Sequence, residues 1–294
     1  MMVDAGYVLE ESADGRSLVV TGAWSSMAAD ALLAGQADGL VLNYSRGFSE
    51  SGLDFLEGDL GLRRLAVLDR QIKDLGPIER LGDSLEELSV QAAPGATLDF
   101  GALTRLRSIS GEWTLMRDTL AAVDALQSVT TWLFDESDLH AFRDHIDLQR
   151  LILKEAKQLE SLSGVGALAE LGDLRILLAG LLRDITDVAD VAGSLRRFEL
   201  QACPAIEDLD DVESLVNLHF LGFSDCGDIE SLAPVAALQR LETLYAWGST
   251  RVLDGDLSPL AHLPRLVDVR MRERREYRPH VSEIQTGLGA RRPG

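Results

Sequence analysis

Residues 195–265 read LRRFELQACPAIEDLDDVESLVN (195–217), LHFLGFSDCGDIESLAPVAALQR (218–240) and LETLYAWGSTRVLDGDLSPLAHLPR (241–265). Set in register, each line gives L-x-x-φ-x-φ, a small or polar stretch, then I/L-x-x-L-x-x-φ-x-x-L, with φ apolar. A unit of this length cannot bury its own apolar edge, so a period in the low twenties predicts coils stacked into a solenoid.

The register extends outward through the φ-x-φ pairs Leu18/Val20, Leu40/Leu42, Leu65/Val67, Leu88/Val90, Ile109/Gly111, Leu151/Leu153, Leu177/Ala179, Phe198/Leu200, Leu221/Phe223, Leu244/Ala246 and Val269/Met271. One more coil is needed between Ile109 and Leu151. Val129/Thr131 or Trp132/Phe134 can supply its strand, and β-propensity favours the second. The alternation predicts 12 short strands, 19 to 26 residues apart, each with one buried face. Crossovers of this length make them parallel. The second half of each coil, as in IKDLGPIERL (72–81), ITDVADV (185–191), IEDLDDVESL (206–215) and IESLAPVAAL (229–238), repeats its apolar residue every third position. That period suits 3₁₀ turns or short helices. The expected fold is therefore an α/β right-handed horseshoe of about 12 coils, with the parallel sheet on the concave face and the turns on the convex one.

A single domain is expected over residues 1–294. Within it, Tyr7 to Thr21 forms a hairpin around Ala13-Asp14-Gly15 that caps the first coil (1–22), repeats fill 23–271, and 272–294 supply a C-terminal cap and a flexible tail. Ser25–Asp38 reads as an Ala-rich helix. Tyr277, Val281 and Ile284 are the packing residues of the C-terminal cap, with loose chain from Gly287 onward.

The 52 leucines of the 294 residues fit a fold that reuses one apolar slot coil after coil. No window approaches the roughly 20 apolar residues of a membrane span. The amino-terminal stretch carries Asp4, Glu10, Glu11 and Asp14 where a signal peptide would be basic and then apolar. A cytoplasmic protein, monomeric on its own, is expected, and Asn43-Tyr44-Ser45 is a chance match to a glycosylation acceptor. The net charge of -20 argues against nucleic acid, whose phosphates need clustered Lys and Arg, and points to a basic partner. Residues 265–294 depart from this, with 8 Arg against 4 acidic residues.

Signs of chemistry are thin. His140, His145, His219, His262 and His280 show no metal-ligand spacing. Glu207, Asp208, Asp210, Asp211 and Glu213 lack the order of a calcium loop and read as a solvated turn. Cys203 and Cys226 each lie five residues after the first apolar residue of a strand and read as buried, structural thiols. Equivalent slots hold Ser45, Arg70, Ala93, Thr114, Ala156, Leu182 and Ser249, so no ladder of asparagines bonds the turns. No catalytic residue, metal site or cofactor is expected.

The candidate site is the solvent side of the sheet. Ile152, Ile176 and Leu178 are expected to form an apolar strip there, and Phe220, Tyr245, Trp247, Arg270 and Arg272 an aromatic and arginine cluster, of the residue types that dominate protein interfaces. Alternatively, the tail folds over that end and buries the cluster.

The L-x-x-L-x-L-x-x…I-x-x-L-x-P-L-x-x-L-x-x-L form resembles the short internalin-like leucine-rich repeats of bacteria, over residues 16–271. The resemblance implies protein recognition along the inner sheet. The expected function is a non-catalytic protein-binding module, in the role of an immunity or inhibitor protein for a basic toxin or enzyme. A regulatory scaffold or targeting subunit of an enzyme complex is the alternative.

Overall fold

Alternating apolar residues become strands at all but two of the expected positions, and the coils between are closed by short turns. The computed structural model describes residues 6–56 and 60–291; Asp4 and the last three residues lie outside them. The chain divides into two compact units, residues 1–131 and 132–294.

The first unit opens with an antiparallel hairpin of β1 (Tyr7–Ser12) and β2 (Gly15–Val20), Tyr7 opposite Val20 and Ser12 opposite Gly15. From β2 the strands run parallel through β3 (Gly39–Asn43), β4 (Arg64–Leu68), β5 (Glu87–Gln91) and β6 (Ser108–Glu112), and β7 (Ser128–Trp132) lies next to β6 in the sheet. Leu18, Leu40, Leu65 and Leu88 stack as direct neighbours across this sheet, all buried. Helix α1 (Ser26–Leu33) begins where the Ser25 hydroxyl accepts the Ala28 N–H. It ends five residues short of the expected Asp38, because Gly35 turns the chain at φ +68°. Two further short helices, α2 (Gly76–Glu79) and α3 (Trp113–Met116), and 3₁₀ turns close the coils. Gly111 holds a leucine slot in β6 because there is no room for more: a Cβ there would lie 3.2 Å from both Met116 Cε and Val90 Cγ1.

In β7 the inward pair is Val129/Thr131, not Trp132/Phe134. Trp132 ends the strand facing outward, Leu133 turns the chain at φ +57°, and Phe134 packs beyond the turn against Phe142, ring centroids 5.7 Å apart. Burial of the coil interior outweighed the β-propensity of Trp and Phe, at the cost of a buried Thr131 hydroxyl with no partner among the described residues.

The second unit continues the scheme with β8 (Arg150–Lys154), β9 (Asp173–Leu177), β10 (Arg197–Gln201), β11 (Phe220–Ser224), β13 (Thr243–Ala246) and β15 (Asp268–Met271), all parallel. The two-residue strands β12 (Asp228–Ile229) and β14 (Arg251–Val252) pair separately. In β9 the inward residues are Leu174 and Ile176, each fully buried, rather than the expected Leu177 and Ala179. Leu174 pairs with Leu151 on one side and Phe198 on the other. With the frame at Leu174 the coils flanking it are of nearly equal length, so their apolar rows align; the frame at Leu177 would have staggered them.

A second ladder follows β8, β9, β10, β11 and β13. Glu155, Leu178, Ala202 and Asp225 have φ between +52° and +60°, and Gly248 takes the same slot at +75°. Left-handed backbone costs a residue with a Cβ roughly 1–2 kcal/mol. Here it aims the N–H groups of Leu178, Ala202 and Asp225 at the carbonyls of Gln201, Ser224 and Trp247, 2.8 to 3.0 Å away.

The slot beyond holds Ala156, Ala179, Cys203 and Cys226, all fully buried, with Ala179 in the place expected of Leu182. The Cys203 thiol lies 3.7 Å from the Ile176 carbonyl and the Cys226 thiol 3.6 Å from that of Leu200. Contact with Cys203, then burial, pushes the Cys226 thiol well above the ordinary thiol range, so it stays protonated and unreactive. In the next coil Thr250 does what the missing asparagines would do: its hydroxyl accepts the Cys226 N–H at 3.0 Å and donates to the Phe223 carbonyl at 2.7 Å.

The opposite turns are 3₁₀, as the period of three predicts. Many are opened by a side chain that accepts the N–H two residues on: Asp138 from His140, Ser161 from Ser163, Asp184 from Thr186, Asp208 from Asp210, Ser231 from Ala233 and Asp256 from Ser258. Short acidic side chains recur there because they replace backbone partners a 3₁₀ turn cannot supply. Helix α4 (Ser258–His262) closes the last such turn, and α5 (Val281–Arg291) covers the end of the unit with Val281, Ile284 and Leu288 buried. Leu288 anchors a helix past Gly287, where loose chain was expected. The Tyr277 hydroxyl accepts the Val252 N–H at 3.0 Å, and Gln285 Nε2 donates to the Val269 carbonyl at 2.9 Å.

Candidate functional site

Because the inward residues of each strand are apolar, the residues between them form a grid on the open side of the sheet. In the second unit its first row is Arg150, Asp173, Arg197, Phe220, Thr243 and Asp268. One step along the strands lie Ile152, Arg175, Glu199, Gly222, Tyr245 and Arg270.

The two rows are knitted together. Asp173, whose side chain is 15% exposed, receives Arg175 through Nε at 2.8 Å and Nη2 at 2.6 Å and Arg150 through Nε at 3.2 Å, with Arg197 Nε 3.8 Å away. Its carboxylate raises the Arg175 pKa further, so that guanidinium is permanently charged. Arg197 also donates to Glu199 at 2.6 Å and lays its guanidinium 3.5 Å above the Phe220 ring. Phe220 meets Tyr245 edge-on at 5.0 Å, and Arg270 covers the Tyr245 ring at 4.5 Å. The Tyr245 hydroxyl donates to Asp268 at 3.0 Å; burial and then that carboxylate push its pKa up, so it remains a donor. Gly222 makes this possible, since a Cβ there would stand 3.1 Å from Phe220 Cε1 and 3.1 Å from Glu199 Cγ. The outcome is a pre-packed strip in which two guanidinium groups, Arg197 and Arg270, flank two aromatic rings, Phe220 and Tyr245.

Five of the eight expected contact residues meet in this region. Phe220 and Tyr245 are half-buried within the strip, Arg270 is its exposed end, and Trp247 and Arg272 are exposed beside it, Trp247 at 59%. Among the described residues the tail does not cover them: α5 packs with its apolar residues against the end of the unit instead. The apolar strip is corrected. Ile152 is half-buried on the open side and Leu178 is 52% exposed in the turn after β9, but Ile176 is fully buried, because it occupies the inward slot. The neighbour of Ile152 on β9 is Arg175. Arg175 and Asp173 were missed for the same reason, and equal coil lengths were the signal that could have found them.

Among the described residues no group of His, Cys, Asp and Glu is placed to hold a metal ion, and no helix is long and apolar enough to cross a membrane. The strip offers cations, rings and carboxylates already paired with one another.

The chain is structurally similar to Listeria internalins. A crystal structure of internalin InlF from Listeria monocytogenes matches 88% of this chain and 83% of its own at a TM-score of 0.52 and 16% identity. Internalin C2 from the same organism matches 67% of this chain and 78% of its own at 20% identity and a TM-score of 0.41. No protein-family model and no curated protein matches the chain. The fold is that of internalin-like leucine-rich repeats.

Proposed function

We propose that this chain is a non-catalytic binding module that holds a protein partner on the open side of the sheet formed by β8 to β15, in the manner of an immunity or inhibitor protein. The observation that supports this is the strip Arg197, Phe220, Tyr245 and Arg270, flanked by exposed Trp247 and Arg272. Aromatic residues and arginine carry most binding energy at protein interfaces, and side chains already ordered lose little entropy on binding. The free, buried thiols Cys203 and Cys226 fit a reducing, cytoplasmic setting.

The test takes the partner recovered by affinity capture and measures its binding to Trp247→Ala and Ile152→Asp beside their melting curves. Trp247→Ala should weaken binding by about 2 kcal/mol, roughly thirtyfold, with the melting temperature unchanged. Unchanged affinity in both variants would move the site off this surface. For the inhibitor role, addition of the chain should suppress the partner's own activity; full activity in the saturated complex would remove that role.

A further inference from the structure

The charge on the candidate surface runs against that of the chain. On the open side of β8 to β15, Arg150, Lys154, Arg175, Arg197, Arg270 and Arg272 face only three carboxylates, Asp173, Glu199 and Asp268. That is an excess of three positive charges on a protein of net charge -20. Asp173 alone is shared by Arg150 and Arg175, with Arg197 within 3.8 Å, so this one carboxylate cannot neutralise its neighbours. Arg150 remains 55% exposed and Arg270 61%.

The acidic field of the whole chain steers at long range, but at physiological salt it is screened beyond about 8 Å. In contact, the local charges decide. We infer that the segment this surface takes from its partner is acidic, an extended or loop peptide whose carboxylates meet the Arg150–Arg175 and Arg270–Arg272 ends, with an apolar residue against Trp247. The inference rests on the binding surface proposed above and replaces a basic contact segment with an acidic one. A peptide fits better than a nucleic acid, because Asp173, Glu199 and Asp268 interleave with the cations and would repel a continuous run of phosphates, while sparse carboxylates can pass between them.

Fluorescence anisotropy with the full chain and four labelled probes tests this: an octapeptide of alternating Glu and Gly around a central Leu, its Lys and Ser counterparts, and a single-stranded oligothymidylate. The Glu peptide should bind more tightly than the Ser peptide, weaken as salt is raised, and lose about tenfold in affinity with Arg175→Gln/Arg272→Gln. Arg175→Lys/Arg272→Lys should restore it, which separates lost charge from lost structure. Glu and Ser peptides binding alike, a Glu peptide indifferent to the double variant, or tighter binding of the oligothymidylate would each overturn the inference. So would self-association in sedimentation that the double variant abolishes, since the occupant would then be a second copy. A captured partner that protects residues 150–272 from hydrogen exchange through a basic segment would sink the inference and keep the binding surface. A footprint elsewhere would sink both.

Discussion

The open sides of the two units share a backbone and differ in everything exposed on it. In the first unit, Ser17, Ala66, Ser89, Ser108 and Ser110 line a groove of about 320 Å³ together with Arg64, whose guanidinium is drawn down to Asp38 at 2.6 Å and is 14% exposed. In the second, the same grid positions carry guanidinium and aromatic planes stacked across neighbouring strands. Inward slots are alike in both, mostly leucine, valine or isoleucine at almost zero exposure, with Gly111 and Thr131 among the exceptions in the first unit and Phe198 and Phe223 in the second. The fold is thus held by one half of the strand residues, and the other half is free to differ. Serines and small apolar side chains, with Glu87 and Asp14, line the first surface, whereas the second offers large groups already ordered by one another.

The largest effect expected sharpens the division between inward and outward slots. Ile176→Ala should cost about 2–5 kcal/mol, because a cavity opens between stacked coils. Leu178→Ala and Ser89→Ala, both outside the core, should stay within about 0.5 kcal/mol. Urea melts of the three variants check this, and an Ile176→Ala loss as small as that of Leu178→Ala would restore the other frame for β9.

Next come two buried threonines, one in each unit, for which opposite outcomes are expected. Thr250→Val strands the Cys226 N–H and the Phe223 carbonyl and should destabilise by about 1–3 kcal/mol. Thr131→Val removes a hydroxyl without a hydrogen-bond partner and should be neutral or stabilising by up to about 1 kcal/mol. Equal losses in thermal melts would break the contrast.

The smallest effect concerns the acidic turns. The amide and hydroxyl of Thr186 hold the Asp184 carboxyl below the ordinary aspartate range, and those of Ser258 do the same for Asp256. A pKa lowered on folding adds stability above the unfolded value, near 3.9, and that contribution is lost as pH falls through the folded value. Asp184→Asn and Asp256→Asn should therefore lower the melting temperature slightly at pH 7 and shrink its fall between pH 5 and pH 3. A wild-type slope unchanged in the double variant would show that these turns do not depend on the charge.

The hairpin, the parallel strands, the 3₁₀ turns and the aromatic and arginine cluster were legible in the residues, since a period of about 23 repeats the same apolar slots and the residues between them must face out. Two coils were not. At residues 128–134 and 173–179, several apolar residues crowd together, LLAGLL following Ile176 being the extreme, and local alternation supports more than one frame. Only stacking on the neighbouring coils chose Val129/Thr131 and Leu174/Ile176, because a strand that slips leaves its inward residues opposite no partner and its carbonyls out of step. That choice also placed Asp173 and Arg175 on the open side. The residues alone determined that there would be a cationic and aromatic end to the sheet. Tertiary packing decided which side chains touch there, because a guanidinium above a ring depends on neighbouring strands 23 or 25 residues apart, a contact no local pattern contains.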